Sequence, residues 1–78
     1  MQSSDDEIIK RIEKDIALFN DNIKGISSKD KAMARVIELS KMYAKDSKSY
    51  LDKKDFYTSF SCISYAHGLL DALKDIMK

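Results

Sequence analysis

Apolar residues recur every three or four positions through three separate stretches of this chain, and nowhere do they alternate with a period of two. Spacing of three to four gathers side chains on one side of an α-helix, whereas a half-buried strand needs strict alternation. No proline and only two glycines interrupt the 78 residues. Valine and threonine, which suit pleated sheets, occur once each. The pattern predicts an all-α fold: a compact three-helix bundle, built as an antiparallel helical hairpin plus an N-terminal helix. One domain is expected to span residues 1–78.

Local signals place the three helices at about 4–24, 28–52 and 56–77. Ser4 and Glu7 have capping-box spacing, and Asp5 and Asp6 add negative charge at the positive end of the helix dipole. Ile8, Ile9, Ile12, Ile16, Phe19 and Ile23 then form one apolar stripe, and Gly25 fits a helix end with positive φ. The second helix opens near Ser27 and Ser28, with Asp30 in its first turn. Its stripe contains Ser40, Ala44 and Ser47, small enough to admit another helix closely. Lys53 and Lys54 make a turn, and Asp55 is placed to cap the third helix. On that helix Phe56, Phe60, Ile63 and Leu70 take one side, and Cys62, Ala66, Leu69, Leu73 and Ile76 an adjacent one. Such a wide arc predicts contact with both other helices.

Composition excludes several classes. A formal net charge of +1 gives no global pull toward nucleic acid or an acidic membrane. The lone Cys62 cannot close an internal disulfide, which favours a reducing compartment. The polar, acidic start is the reverse of a secretory signal, and no apolar run approaches the roughly 18 residues of a membrane span. A cytoplasmic protein is expected, with no membrane partner.

The run from Asp55 to Leu73 is more distinctive than composition requires. Its second half, Tyr65-Ala66-His67-Gly68-Leu69-Leu70-Asp71-Ala72, resembles the hallmark of a small archaeal family catalogued as domain of unknown function 357. The similarity is strong from Asp46 onward, while the earlier part matches as generic amphipathic helix. Family members have glycine where this chain has Lys54, which must then adopt a conformation glycine adopts freely. Small residues are common at positions 59 and 61, as here. The resemblance implies an all-helical archaeal cytoplasmic protein and implies no activity. A looser likeness to HEPN helical domains, some of which are ribonucleases using an Arg and a His on one helix, stops at the hairpin. The helix bearing His67 has no Arg, and Arg11 and Arg35 lie elsewhere.

Few residues suggest chemistry. His67 and Asp71, one helical turn apart, could orient each other or make half of a metal or small-ligand site. The alternative puts His67 at the core edge, hydrogen-bonded to a hydroxyl or carboxylate on a neighbouring helix. Gly68 in mid-helix sacrifices stability and predicts either close packing against another helix or subunit, or room for a ligand beside His67. Cys62 is read as a small buried hydrophobe. Tyr43, Tyr50, Tyr57 and Tyr65 suit a bundle rim or an interface, and at least one of Tyr57 and Tyr65 should be exposed. Eight basic and four acidic residues lie between Lys29 and Lys54. Lys41, Lys45 and Lys48 share one face that could touch phosphates, although a solvated face explains them and nucleic acid is not expected. No catalytic residue, metal or cofactor is assigned, and no enzyme activity is expected. The sequence favours a small interaction module, binding a protein partner or a second copy through Tyr65, His67, Gly68 and Asp71.

Overall fold

The computed structural model describes residues 3–77, with side chains from residue 5 onward. Three helices follow one another: α1 (Ser3–Ile23), α2 (Lys31–Asp52) and α3 (Phe56–Met77), with no strand among the described residues. They form the expected three-helix bundle, 47 × 18 × 16 Å in extent. Asp5 and Asp6 stand in the first turn of α1. The capping box expected at Ser4 rests on a side chain outside the described residues.

Each turn has a readable cause. Gly25 takes φ 77° just past α1, and Ile26 N–H closes the end by donating to the Ile23 carbonyl at 3.1 Å. The second helix begins at Lys31, three residues later than its Ser27–Ser28 signal suggested. Asp30 is the N-cap, its carboxylate accepting from Met33 N–H at 2.9 Å. Ser28 instead accepts from Asp30 N–H at 3.1 Å, holding the loop that presents the cap. The carboxylate outcompetes the hydroxyls because it sits three residues before an unsatisfied helical N–H.

The α2–α3 turn is a Schellman motif with lysine in the glycine position. Asp55 N–H donates to the Tyr50 carbonyl at 2.9 Å and Lys54 N–H to the Leu51 carbonyl at 3.0 Å. Lys54 holds φ 65°, as the resemblance to a family with glycine at this position implied. Asp55 then caps α3, accepting from Thr58 N–H at 3.2 Å.

The hairpin α2–α3 carries most of the core. Ile37, Ala44 and Leu51 of α2 meet Ile63, Ala66, Leu70 and Leu73 of α3, and α1 adds Ile12 and Phe19. Three serines are fully buried as well: Ser40, Ser47 and Ser59. Ser47 Oγ donates to the Ser59 carbonyl at 2.7 Å, and Ser59 Oγ donates to the Ser47 carbonyl at 2.6 Å. Each hydroxyl thus reaches the opposite backbone, which only small side chains permit. Ser40 Oγ bonds the Ile37 carbonyl at 2.7 Å. Among the described residues no buried side-chain polar atom lacks a partner, so these serines join the helices without an orphaned group.

Candidate interaction surface

The octet from Tyr65 to Ala72 does not converge on one site. Ala66 and Leu70 enter the core, His67 turns toward α1, and Gly68 and Asp71 face solvent. His67 is half-buried, with Nε2 2.8 Å from the Asp15 carbonyl. A carbonyl only accepts, so Nε2 carries the proton and donates. The imidazole also meets the Phe19 ring edge-on, centroids 5.7 Å apart. His67 therefore ties α3 to α1 at the core edge. Arg11 braces the same seam, its guanidinium 5.5 Å above the Phe60 ring and 3.3 Å from the Asp15 carboxylate. No hydrogen bond or ion pair joins Asp71 to His67. Among the described residues, no three His, Cys, Asp or Glu side chains gather as a metal group would require.

No helix of this chain makes the close packing expected at Gly68. A Cβ built there meets nothing within 4 Å, so no helix of this chain packs closely against it and no enclosed space adjoins it. Gly68 lies on the outward side of α3, where its missing side chain makes room for nothing inside the bundle.

Lys41, Lys45 and Lys48 are all exposed, as a solvated face requires. Together with Ile16, Phe19 and Ala44 they line a cleft of about 450 Å³ between α1 and α2. Their stems cover apolar surface while the charged ends reach water. Lys41 pairs with Glu38 at 3.5 Å and Lys48 with Asp52 at 2.8 Å. The hydrogen bond that Lys48 donates to Asp52, then the charge of that carboxylate, raises Lys48 above the ordinary lysine pKa. Acids on the same helix thus answer two of the three lysines.

Of the predicted interaction residues Tyr65 alone lines a recess, on the opposite flank of the hairpin, and the rest of that flank was not singled out in the sequence. There α2 offers Ala32, Val36 and Tyr43, and α3 offers Thr58, Cys62, Tyr65, Leu69, Ala72 and Ile76. Two recesses open between these rows. One, about 450 Å³, lies between Met33 and Val36 of α2 and Leu69, Ala72 and Ile76 of α3. The other, about 310 Å³, is lined by Tyr43, Thr58, Cys62 and Tyr65. Tyr43 and Tyr65 stand between them as an edge-to-face pair, centroids 4.6 Å apart. Both Tyr57 and Tyr65 are exposed, at 84% and 52%. Ile76 is 64% exposed at the end of the flank. Asp30 is the one charged residue lining either recess. The wide arc of α3 therefore serves α1, α2 and an open flank, where Cys62, Leu69 and Ile76 line the recesses beside α2. Row spacing on both helices held the signal, yet it could not say which flank α1 would cover.

Cys62 sits in this flank as a half-buried free thiol. Burial pushes its pKa up, and the negative charges of Asp46 and Asp55 push it further. That environment opposes the thiolate a nucleophile needs. No helix of the described residues is long and apolar enough to cross a membrane.

Fold and flank together define a small helical bundle whose central hairpin is covered by α1 on one side and left open on the other. Residues 9–77 match the family described as Protein of unknown function (DUF357), and the chain belongs to that family. Comparison with curated proteins and with solved structures finds no match.

Proposed function

We propose that this chain is a protein–protein interaction module that receives an amphipathic helix along the open flank of the α2–α3 hairpin. The observation that carries this reading is the pair of apolar recesses on either side of Tyr43 and Tyr65. A helix laid there would complete a four-helix arrangement, each recess receiving side chains one or two turns apart. Tyrosines at the centre suit such a surface, since a ring adds apolar contact and a hydroxyl adds direction. In this reading the chain is not an enzyme and works in the cytoplasm, where a lone thiol stays reduced. Binding of a metal or small ligand through His67 and Asp71 is less favoured, because His67 is engaged with Asp15 and Phe19. Nucleic-acid binding through Lys41, Lys45 and Lys48 is less favoured for the acids beside them.

The test compares three baits in native extract: wild type, Ala72→Glu on the flank, and Ala17→Glu on the exposed side of α1. Partners retained by wild type and Ala17→Glu but lost with Ala72→Glu support the reading. Partners indifferent to Ala72→Glu overturn it.

A further inference from the structure

We propose that the occupant of the open flank is an amphipathic helix of another protein, with carboxylates where it meets Lys31 and Arg35 and a cation about three turns away, opposite Asp46. The inference rests on the docking reading above and names the chemistry of its partner.

A third recess supplies the first argument. It measures about 430 Å³ and is lined by Lys31, Ala32, Arg35 and Val36. Ala32 and Val36 also line the apolar recess at Leu69, Ala72 and Ile76. The two cations therefore border the apolar floor, one helical turn apart. Both are exposed, and among the described residues neither enters an ion pair. Asp30 lies at the same end, but its carboxylate is turned to the cap of α2, where Met33 N–H donates to it. Like charges four positions apart destabilise a helix, and a carboxylate from outside relieves that repulsion.

The rest of this edge of α2 is the second argument. Steps of four, seven and four positions run from Lys31 through Arg35 and Met42 to Asp46, which keeps them on one edge beside Ala32, Val36 and Tyr43. Met42 is 58% exposed, an unbranched side chain that adapts to a partner's surface. Asp46 closes the edge with the opposite sign. The recess around Cys62 lies within reach of its charge and that of Asp55. Arg35 and Asp46 are separated by about 16 Å at the helical rise. The edge thus runs from basic to acidic, and a partner helix matches it in the opposite order.

That polarity also selects the class of partner. A nucleic acid or an anionic lipid surface offers one sign only and meets Asp46 and Asp55 with repulsion. Asp75 neighbours Ala72 and Ile76 on α3, so the partner's carboxylates belong on the α2 side. Apolar side chains on successive turns fill the recesses, and the rim charges fix the register.

Fluorescence anisotropy of the full chain with three fluorescein-labelled helical peptides tests the inference. The peptides share one apolar stripe and differ in the charges beside it: carboxylates at one end and lysines at the other, carboxylates throughout, or lysines throughout. The wild type should favour the mixed peptide by about three- to tenfold at low salt, a preference that shrinks at high salt. Lys31→Glu/Arg35→Glu should favour the all-lysine peptide, and Asp46→Lys the all-carboxylate one. Ala72→Glu and Ala72→Arg should each weaken all three several-fold, since either charge lies under the apolar stripe. These positions are exposed, so helicity by circular dichroism should be unchanged. Equal binding of the three peptides by the wild type overturns the inference, and so do preferences that do not follow the charge reversals. In both cases the docking reading stands if the Ala72 variants still weaken binding. Binding indifferent to both Ala72 variants, or no binding at all, overturns that reading and the inference with it.

Discussion

Replacing Lys54 with glycine should make this protein more stable, although it removes a charged side chain and adds no contact. Lys54 holds φ 65° at the one position of the α2–α3 turn where the chain must pass through the left-handed region. The Schellman bonds from Lys54 N–H and Asp55 N–H fix that conformation, and the Asp55 cap of α3 depends on it. An L-residue in this region gives up about 1–2 kcal/mol to the clash of its Cβ with backbone oxygen. Glycine removes the clash but brings more freedom to the unfolded chain, which takes back about 0.5–1 kcal/mol. The net gain should be ~0.5–1 kcal/mol. For a domain this small that raises Tm by roughly 2–8 °C. Lys54 is exposed, so little else changes. Thermal and urea unfolding followed by far-UV circular dichroism would measure the gain, with the denaturant slope unchanged. Lys54→Ala is the control: it keeps Cβ, so it should stay within about 0.5 kcal/mol of wild type. A Lys54→Gly protein no more stable than wild type would refute the reasoning, and so would an equal gain from Lys54→Ala.

Gly68→Ala should stabilise by up to about 1 kcal/mol, read by the same unfolding curves, because the added methyl enters open space and improves helix propensity. A loss of stability would show that something packs against Gly68. Ser47→Val should destabilise by about 2–4 kcal/mol, since it breaks the reciprocal bonds with Ser59 and forces extra volume between two close backbones. Ser47→Ala, which shrinks the site instead, should lose about 1 kcal/mol. For Cys62, the raised pKa means that the folded state holds the thiol proton more tightly than the unfolded chain does. The stability this contributes is present below the unfolded thiol pKa and lost as pH rises through the folded value. Urea midpoints should therefore fall at alkaline pH in wild type more than in Cys62→Ser, and equal falls would contradict the assignment.

Local chemistry was legible wherever neighbours in sequence decide the outcome. Gly25 ends α1 and Asp55 caps α3 because the relevant bonds span a few residues, whereas the positive φ of Lys54 was implied by the family resemblance. The start of α2 slipped by three because Ser27, Ser28 and Asp30 all offer capping oxygens, and only the loop geometry chooses among them. The small residues Ser40, Ala44 and Ser47 announced a close helix contact, and the structure shows two of the serines bonded across or along it. Long-range geometry was less accessible. The acceptor of His67 is a backbone carbonyl 52 positions away, which no side-chain pattern can announce. Gly68 looked like a packing glycine because Ala66, Leu69 and Leu70 surround it in sequence, yet on a helix those neighbours point elsewhere. The open flank was present as two rows of apolar residues, but its meaning depended on where α1 lies.

The central claim is that the flank bearing Tyr43 and Tyr65 is where this chain meets a partner. Amide chemical shifts recorded while the partner retained by the wild-type bait is titrated in test it most directly. The account predicts changes confined to Val36, Tyr43, Cys62, Tyr65, Leu69, Ala72 and their neighbours, with α1 silent. Changes centred on α1 or on the cleft beside Lys41 and Lys45 would contradict it, as would spectra that the partner leaves unchanged.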